Sequence, residues 1–347
     1  MYIKKILWAV ALVGLIVMGV IAYYIYGAMF SPNTSFEEES KYIFISTDSR
    51  YNDVRKQLEP LLEDIGSFDA LAKQKKYTTN IKAGRFVIKK GMNNNEIINS
   101  IRSNNIPVRV SFNNQNSLAS LAGRVSKQLE VDSLSLLTAM NDTTFLNKNG
   151  FNKATALGMY LPNSYDFFWN SSAEDFRSKM LSEYKKFWTE ERIAKAEAVN
   201  LTPHKVMALA SIVYEESKKK DEQSRIAGVY INRLRIGMPL QADPTLKFAA
   251  YQLPKYKNTI IRRVLNVHKE IDSPYNTYKY AGLPPGLVAM PDISAIKAVL
   301  NYEKHSYLYF AADPQRLGYH KFAKSLQQHN VNARAYQRYL NNQGIRK

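Results

Sequence analysis

The residues best suited to do chemistry fall between Ala208 and Thr245. They begin with Leu209-Ala210-Ser211-Ile212-Val213-Tyr214-Glu215-Glu216-Ser217 and continue through Glu222 to Val229-Tyr230-Ile231-Asn232-Arg233-Leu234. They close on Leu240-Gln241-Ala242-Asp243-Pro244-Thr245. An apolar helix that ends in a carboxylate, then a second helix and a polar loop, is a layout suited to acid catalysis. Val206, Leu209, Ala210 and Val213 form an apolar stripe on a helix from His204 to Ser217. Glu216 lies three residues after Val213, four after Ile212 and seven after Leu209, so it continues the buried edge. Burial disfavours a charged carboxylate and raises its pKa. A glutamate kept neutral near pH 7 can donate a proton to a glycosidic oxygen. Glu215 sits about 100° further round the helix and faces solvent beside Lys218 and Lys219. A glutamate at a helix end is more commonly solvated or capping, and spacing alone does not decide between these roles.

Composition removes other chemistries. The chain has no cysteine, which excludes disulfides, thiolate nucleophiles and cysteine-held zinc. Its five histidines show no H-E-x-x-H spacing and no glycine-rich phosphate loop is present, so no metal and no organic cofactor are expected. The net charge is +18, from 48 Lys and Arg against 30 Asp and Glu. Such a surface attracts nucleic acid, anionic lipid or an acidic wall polymer, and it also serves solubility. Beyond Asp313 there is no acidic residue, while Arg316, Lys321, Lys324, Arg334, Arg338, Arg346 and Lys347 are all basic. The 23 tyrosines suit sugar faces, but tyrosine serves cores and surfaces equally.

The positioning elements follow from patterning. Ile6–Tyr26 carries no charge and is long enough to span a bilayer. Lys4 and Lys5 precede it, which keeps residues 1–5 cytoplasmic and exports the bulk of the chain. A cleavable signal peptide is the competing reading, but its apolar stretch is shorter and ends in small residues rather than Tyr23, Tyr24 and Tyr26. Residues 27–40 are polar with a proline and read as a linker. Strands at Tyr42–Ile45, Gly84–Ile88 and Val108–Phe112 alternate with helices at Tyr51–Ile65, Phe68–Lys75 and Asn95–Ile101, forming a small α+β module over 41–112. Residues 113–347 are mainly helical, with Leu118–Leu129, Ser133–Met140, Ala173–Asn200 and the helix opened by Thr202-Pro203. Gly282–Gly286 is a rigid turn, and Tyr307–Ala311 pairs with Gly318–Phe322 across Asp313-Pro314. The expected class is α+β with a transmembrane helix in front.

From Lys82 onward the chain resembles the endolytic murein transglycosylase (YceG-like) family. The collinear motifs are Gly84-Arg85-Phe86, the Leu209–Glu216 segment with Glu222, Asn232-Arg233-Leu234-Arg235-Ile236-Gly237-Met238 and Gln241-Ala242-Asp243-Pro244-Thr245. After them come Ser273-Pro274-Tyr275-Asn276-Thr277-Tyr278, Gly282-Leu283-Pro284-Pro285-Gly286 and Tyr307-Leu308-Tyr309-Phe310-Ala311. His320, Phe322, His329 and Asn330 match too. Each is weak alone, but their joint order is specific.

The resemblance implies a single-pass protein of the cytoplasmic membrane with an extracytoplasmic catalytic domain over 113–347 and a LysM-like module over 41–112. That module would bind glycan or act as a spacer. The family's catalytic glutamate falls in a segment close to ASIVEKE; the last glutamate matches Glu216, while Tyr214 stands where an earlier one would be. A second departure, Leu157-Gly158-Met159-Tyr160-Leu161-Pro162-Asn163-Ser164-Tyr165, lacks the family's acidic residues, so that loop is given no catalytic duty.

The implied reaction is non-hydrolytic cleavage of the MurNAc–GlcNAc β-1,4 bond of peptidoglycan, terminating or trimming nascent strands. Glu216 would protonate the leaving oxygen and then, as carboxylate, take the proton of the muramyl C6 hydroxyl as a 1,6-anhydro ring closes. Ordinary glycosidases use two carboxylates. Asn232, Gln241, Asp243, Tyr275, Asn276 and Tyr278 are candidates to line the glycan groove, or else to build turns and core; Glu222 would orient the site. Implied partners are glycan strands, the membrane and cell-wall synthases or division proteins, without nucleic acid. A peptidoglycan-binding scaffold without turnover and a hydrolase are the alternatives.

Overall fold

A computed structural model describes residues 2–256, 259–261 and 264–343; Arg346 and Lys347 lie outside the described residues. The fold is mostly helical, and its sheets are two-stranded. The chain divides into two units, Met1–Val110 with Lys127–Val131 and Tyr165–Ser172, and Ser111–Ser126 with Asp132–Ser164 and Ala173–Lys347.

In the first unit, α1 (Tyr2–Phe30) is long and apolar enough to cross a membrane over Tyr2–Tyr24, and none of that stretch is buried. The helix outruns Ile6–Tyr26 at both ends. Near its C-terminus Met29 packs on the core of the unit. Residues 31–40 are laid against that core. Asn33 is 5% exposed. Its Nδ2 donates to Asp64 O (2.8 Å) and Asn94 Oδ1 (2.7 Å), and its Oδ1 accepts from Asp64 N (2.7 Å).

β1 (Ser40–Ile45) then runs antiparallel to β2 (Gly84–Lys89), with Ser40 opposite Lys89 and Ile45 opposite Gly84. Between them, α2 (Tyr51–Leu58) stops earlier than its apolar spacing suggests, because Pro60 lacks an N–H and turns Glu59–Leu61 into a 3₁₀ turn. α3 (Ile65–Gln74) opens on Asp64, whose side chain accepts from Gly66 N and Ser67 N. After β2, α4 (Asn94–Ser103) starts from a reciprocal cap between Asn93 and Glu96 and leads to β3 (Val108–Phe112). Ile43, Ile45, Leu58, Phe68, Phe86, Ile88, Ile97 and Ile101 fill the interior. The later segments join the unit through Glu130, which accepts from Thr47 N (2.6 Å) and Thr47 Oγ1 (2.8 Å), and through Trp169, edge-on to Phe44 at 5.1 Å.

The second unit holds α5 (Leu118–Val125), α6 (Ser133–Met140) and α7 (Thr143–Lys148), then β4 (Asn163–Phe167), which the division cuts. α5 ends short of Leu129. The helix expected over Ala173–Asn200 is two, α8 (Ala173–Phe187) and α9 (Glu190–Glu197), because Thr189 takes an extended conformation and its hydroxyl caps Arg192 N. α10 (Pro203–Glu216) is the central helix, with every residue from Val206 to Val213 buried. Around it pack α11 (Lys220–Arg235), α12 (Asp243–Tyr251) and, after the short α13 (Asn266–Lys269), α14 (Ile293–Leu300). Gly228 lets α11 approach the chain closely: a Cβ there would sit 2.4 Å from Glu303 O. The hairpin of β5 (Tyr309–Ala312) and β6 (His320–Ala323) is antiparallel, pairing Tyr309 with Ala323 and Ala312 with His320. α15 (Leu326–Asn342) packs on both strands.

Candidate active site

Thr202 caps α10, Pro203 occupies its first turn and Ser217 N bonds Val213 O at its end, so Glu216 is held as the last helical residue. Successive residues diverge there. Glu215 is exposed and pairs with Lys218 at 2.8 Å. Glu216 turns inward, and its Oε1 accepts a 2.7 Å hydrogen bond from the Tyr230 hydroxyl on α11. Burial pushes the Glu216 carboxyl up to about 7; the Tyr230 bond pulls against that rise, the charge of Asp243 adds to it, and His320 and Lys247 oppose it. The result is a glutamate able to carry a proton at neutral pH.

Glu216 lines a cleft of about 820 Å³. One wall comes from α11, where Glu222, Ile226, Tyr230 and Arg233 recur at helical spacing on a buried face. Arg233 bonds Leu308 O (2.6 Å) and Leu240 O (2.7 Å), tying the hairpin approach to the loop before α12. A second wall is that loop. Gln241 N bonds Thr277 O (2.9 Å), Ala242 N bonds Thr277 Oγ1 (3.0 Å), and Thr277 Oγ1 meets Thr245 Oγ1 at 2.8 Å. Gln241 takes a left-handed φ of 48° to make the turn. The lock brings the Tyr278 hydroxyl to Asp243 Oδ1 at 2.6 Å, and Tyr278 is held far above its ordinary pKa, first by burial and then by Asp243. The third wall is the β5–β6 hairpin with Tyr309, Phe310 and His320, and His329 of α15 lies against Tyr309.

Of the residues singled out from sequence, Glu216, Gln241, Asp243 and Tyr278 meet in this cleft. Three do not. Asn232 donates to His305 O (2.8 Å) and Tyr307 O (3.0 Å), and borders a separate hollow with Lys195 and Tyr302. Asn276 is fully buried; its Nδ2 bonds Lys269 O and Ile271 O, and its Oδ1 accepts from Tyr278 N, so it knots the loop that carries Tyr278. Tyr275 packs on Phe248 at 4.5 Å in a small core with Ala249 and Ile271. Glu222 reaches the cleft through His320: Oε1 accepts from His320 N (2.8 Å), and Oε2 lies 2.9 Å from Nδ1. Tyr230, Arg233 and Lys269, with no role assigned from sequence, line the cleft as well. The α11 spacing was the signal available for the first two. Among the described residues no cluster of three His, Asp or Glu could hold a metal.

The profile of the YceG-like family matches residues 43–335. An endolytic murein transglycosylase of Bacillus subtilis is 31% identical over 272 residues, covering 74% of this chain and 73% of that protein. One from Streptococcus pneumoniae is 28% identical over 274 residues, covering 71% of this chain; the chain spans only 49% of that relative's length. A crystal structure of a YceG-like protein from Listeria monocytogenes superposes with a TM-score of 0.56 at 27% identity, over 85% of this chain and 99% of that one.

Proposed function

The chain belongs to the YceG-like family, and from that membership and the cleft geometry we propose that it is an endolytic lytic transglycosylase of peptidoglycan glycan strands. The observation that carries this reading is the Glu216 carboxyl, raised to about 7 at the cleft and held by Tyr230. Glu216 donates its proton to the oxygen bridging MurNAc C1 and GlcNAc, the C1–O bond breaks, and the muramyl C6 oxygen closes on C1 as its O–H proton passes to a base in the cleft. The product carries a 1,6-anhydro end and takes up no water. Preorganised groups at the breaking bond supply the electrostatic part of the acceleration. Arg233 acts as a positioning residue, since its guanidinium is spent on backbone carbonyls. Gln241, Asp243 and Tyr278 present amide, carboxylate and phenol groups to the sugars.

α1 serves as a single-pass anchor with its N-terminus cytoplasmic and both units exported. Its unbroken run to Phe30 and the packing of Met29 on the first unit's core favour a retained helix over a cleaved leader. The β1–α2–α3–β2 order supports a LysM-like reading of that unit. Asp243, a second carboxylate at the cleft, favours one competing reading, a hydrolase that activates water.

Digestion of uncrosslinked glycan by the full chain in detergent separates the two. Mass analysis is expected to find 1,6-anhydromuramyl ends with the wild type and none with Glu216→Gln. Ends heavier by one water would instead identify a hydrolase, and undiminished cleavage by Glu216→Gln would remove that residue from the acid role.

A further inference from the structure

The site contains a buried carboxylate that no step above uses. Glu222 is 5% exposed on α11 and grips one residue of the hairpin twice, at the backbone N–H and at the ring Nδ1 of His320. A carboxylate on Nδ1 sets which ring nitrogen carries the hydrogen and fixes the ring plane. Phe310, edge-on at 5.1 Å, closes another side of the ring. His320 lines the same cleft as Glu216 and bears on its charge. With Nδ1–H given to Glu222, Nε2 is left as the acceptor of a ring that lines the cleft.

The chemistry of the sugar says what would meet that acceptor. In an internal muramyl residue C1 and C4 carry glycosidic bonds, C2 carries the N-acetyl group and C3 an ether. The C6 hydroxyl is the one free hydroxyl, and it is the group that must lose a proton when the ring closes.

Resting on the transglycosylase reading, we propose that Glu222 and His320 form a second proton-handling pair, in which His320 Nε2 takes the C6 hydroxyl proton. Glu216 protonates the leaving oxygen as the C1–O bond breaks. The O6–C1 bond forms, O6–H breaks, and its proton moves to Nε2, where the Glu222 carboxylate balances the imidazolium. Return of that proton to the Glu216 carboxylate restores the starting state. This divides between two residues what the family resemblance assigns to Glu216 alone.

The test is His320→Asn, whose amide can keep the donation to Glu222 from the Nδ1 position while removing Nε2. Expected are an unchanged KM, a kcat lower by about 100-fold, a share of muramyl ends heavier by one water, and partial recovery of rate with added imidazole. Wild-type kcat with anhydro ends alone would overturn the proposal. Should that variant fail to fold, as judged by thermal melting, the fallback is ¹⁵N NMR of the histidines in the Glu216→Gln protein. Uncrosslinked glycan should then shift the His320 Nε2 resonance, and an unmoved resonance overturns the proposal. Absence of anhydro ends from the wild type would instead sink the transglycosylase reading itself.

Discussion

The two units handle inward-facing polar groups in opposite ways. In the first, Asn33 is enclosed by three hydrogen bonds and every one of them joins chain to chain. In the second, Glu216 has one donor among the described residues, Tyr230, and lines a cleft. A buried group whose bonds are complete adds rigidity. A carboxyl left with one neutral donor keeps its proton and can part with it. Support and chemistry are therefore separable here, and substitutions on each side should read out differently.

The largest effect belongs to Glu216→Gln. Loss of the acid should lower kcat by about 100- to 10,000-fold. The same change should stabilise the fold at alkaline pH. Glu216 has a folded value near 7 against an ordinary 4.5, so above 4.5 the native state holds a proton that the unfolded chain releases. Its ionisation therefore opposes folding increasingly as pH rises through that window. Denaturant melts should find the variant more stable than wild type at pH 8, on the order of 1–3 kcal/mol, and equal at pH 4.

Tyr230→Phe comes next. It removes the donor that steadies the carboxylate left after proton transfer, and kcat should fall by about 10- to 100-fold. Because the Tyr230 bond lowers the Glu216 pKa, the alkaline limb of the pH–rate profile should move to higher pH. Asn33→Ala tests the other region. It should destabilise the first unit by about 2 kcal/mol in a denaturant melt while leaving kcat on short soluble glycan unchanged. Glu215→Gln should be the smallest, with activity within about twofold, since its partner is the exposed Lys218.

Much of the cleft was legible because its positioning is local. The Leu209–Val213 stripe points to Glu216 rather than Glu215 as the inward glutamate, although spacing alone leaves its role open. What sequence could not separate are side chains of one type used in two ways. Gln241 lines the cleft, while Asn232 and Asn276 spend their amides on carbonyls of the chain. The Glu222–His320 contact joins residues 98 apart, and helical periodicity carries no information at that range. The same holds for Lys127–Val131 and Tyr165–Ser172, which rejoin the first unit after the chain has left it. The split between α8 and α9 was missed because both halves share helical spacing and only the Thr189 cap divides them.

The most direct measurement is kcat/KM against pH on uncrosslinked glycan. A proton-donating Glu216 predicts activity that falls as pH rises through about 7. A profile level from pH 5 to 9, or one that rises through neutrality, would mean that the proton is supplied by some other group.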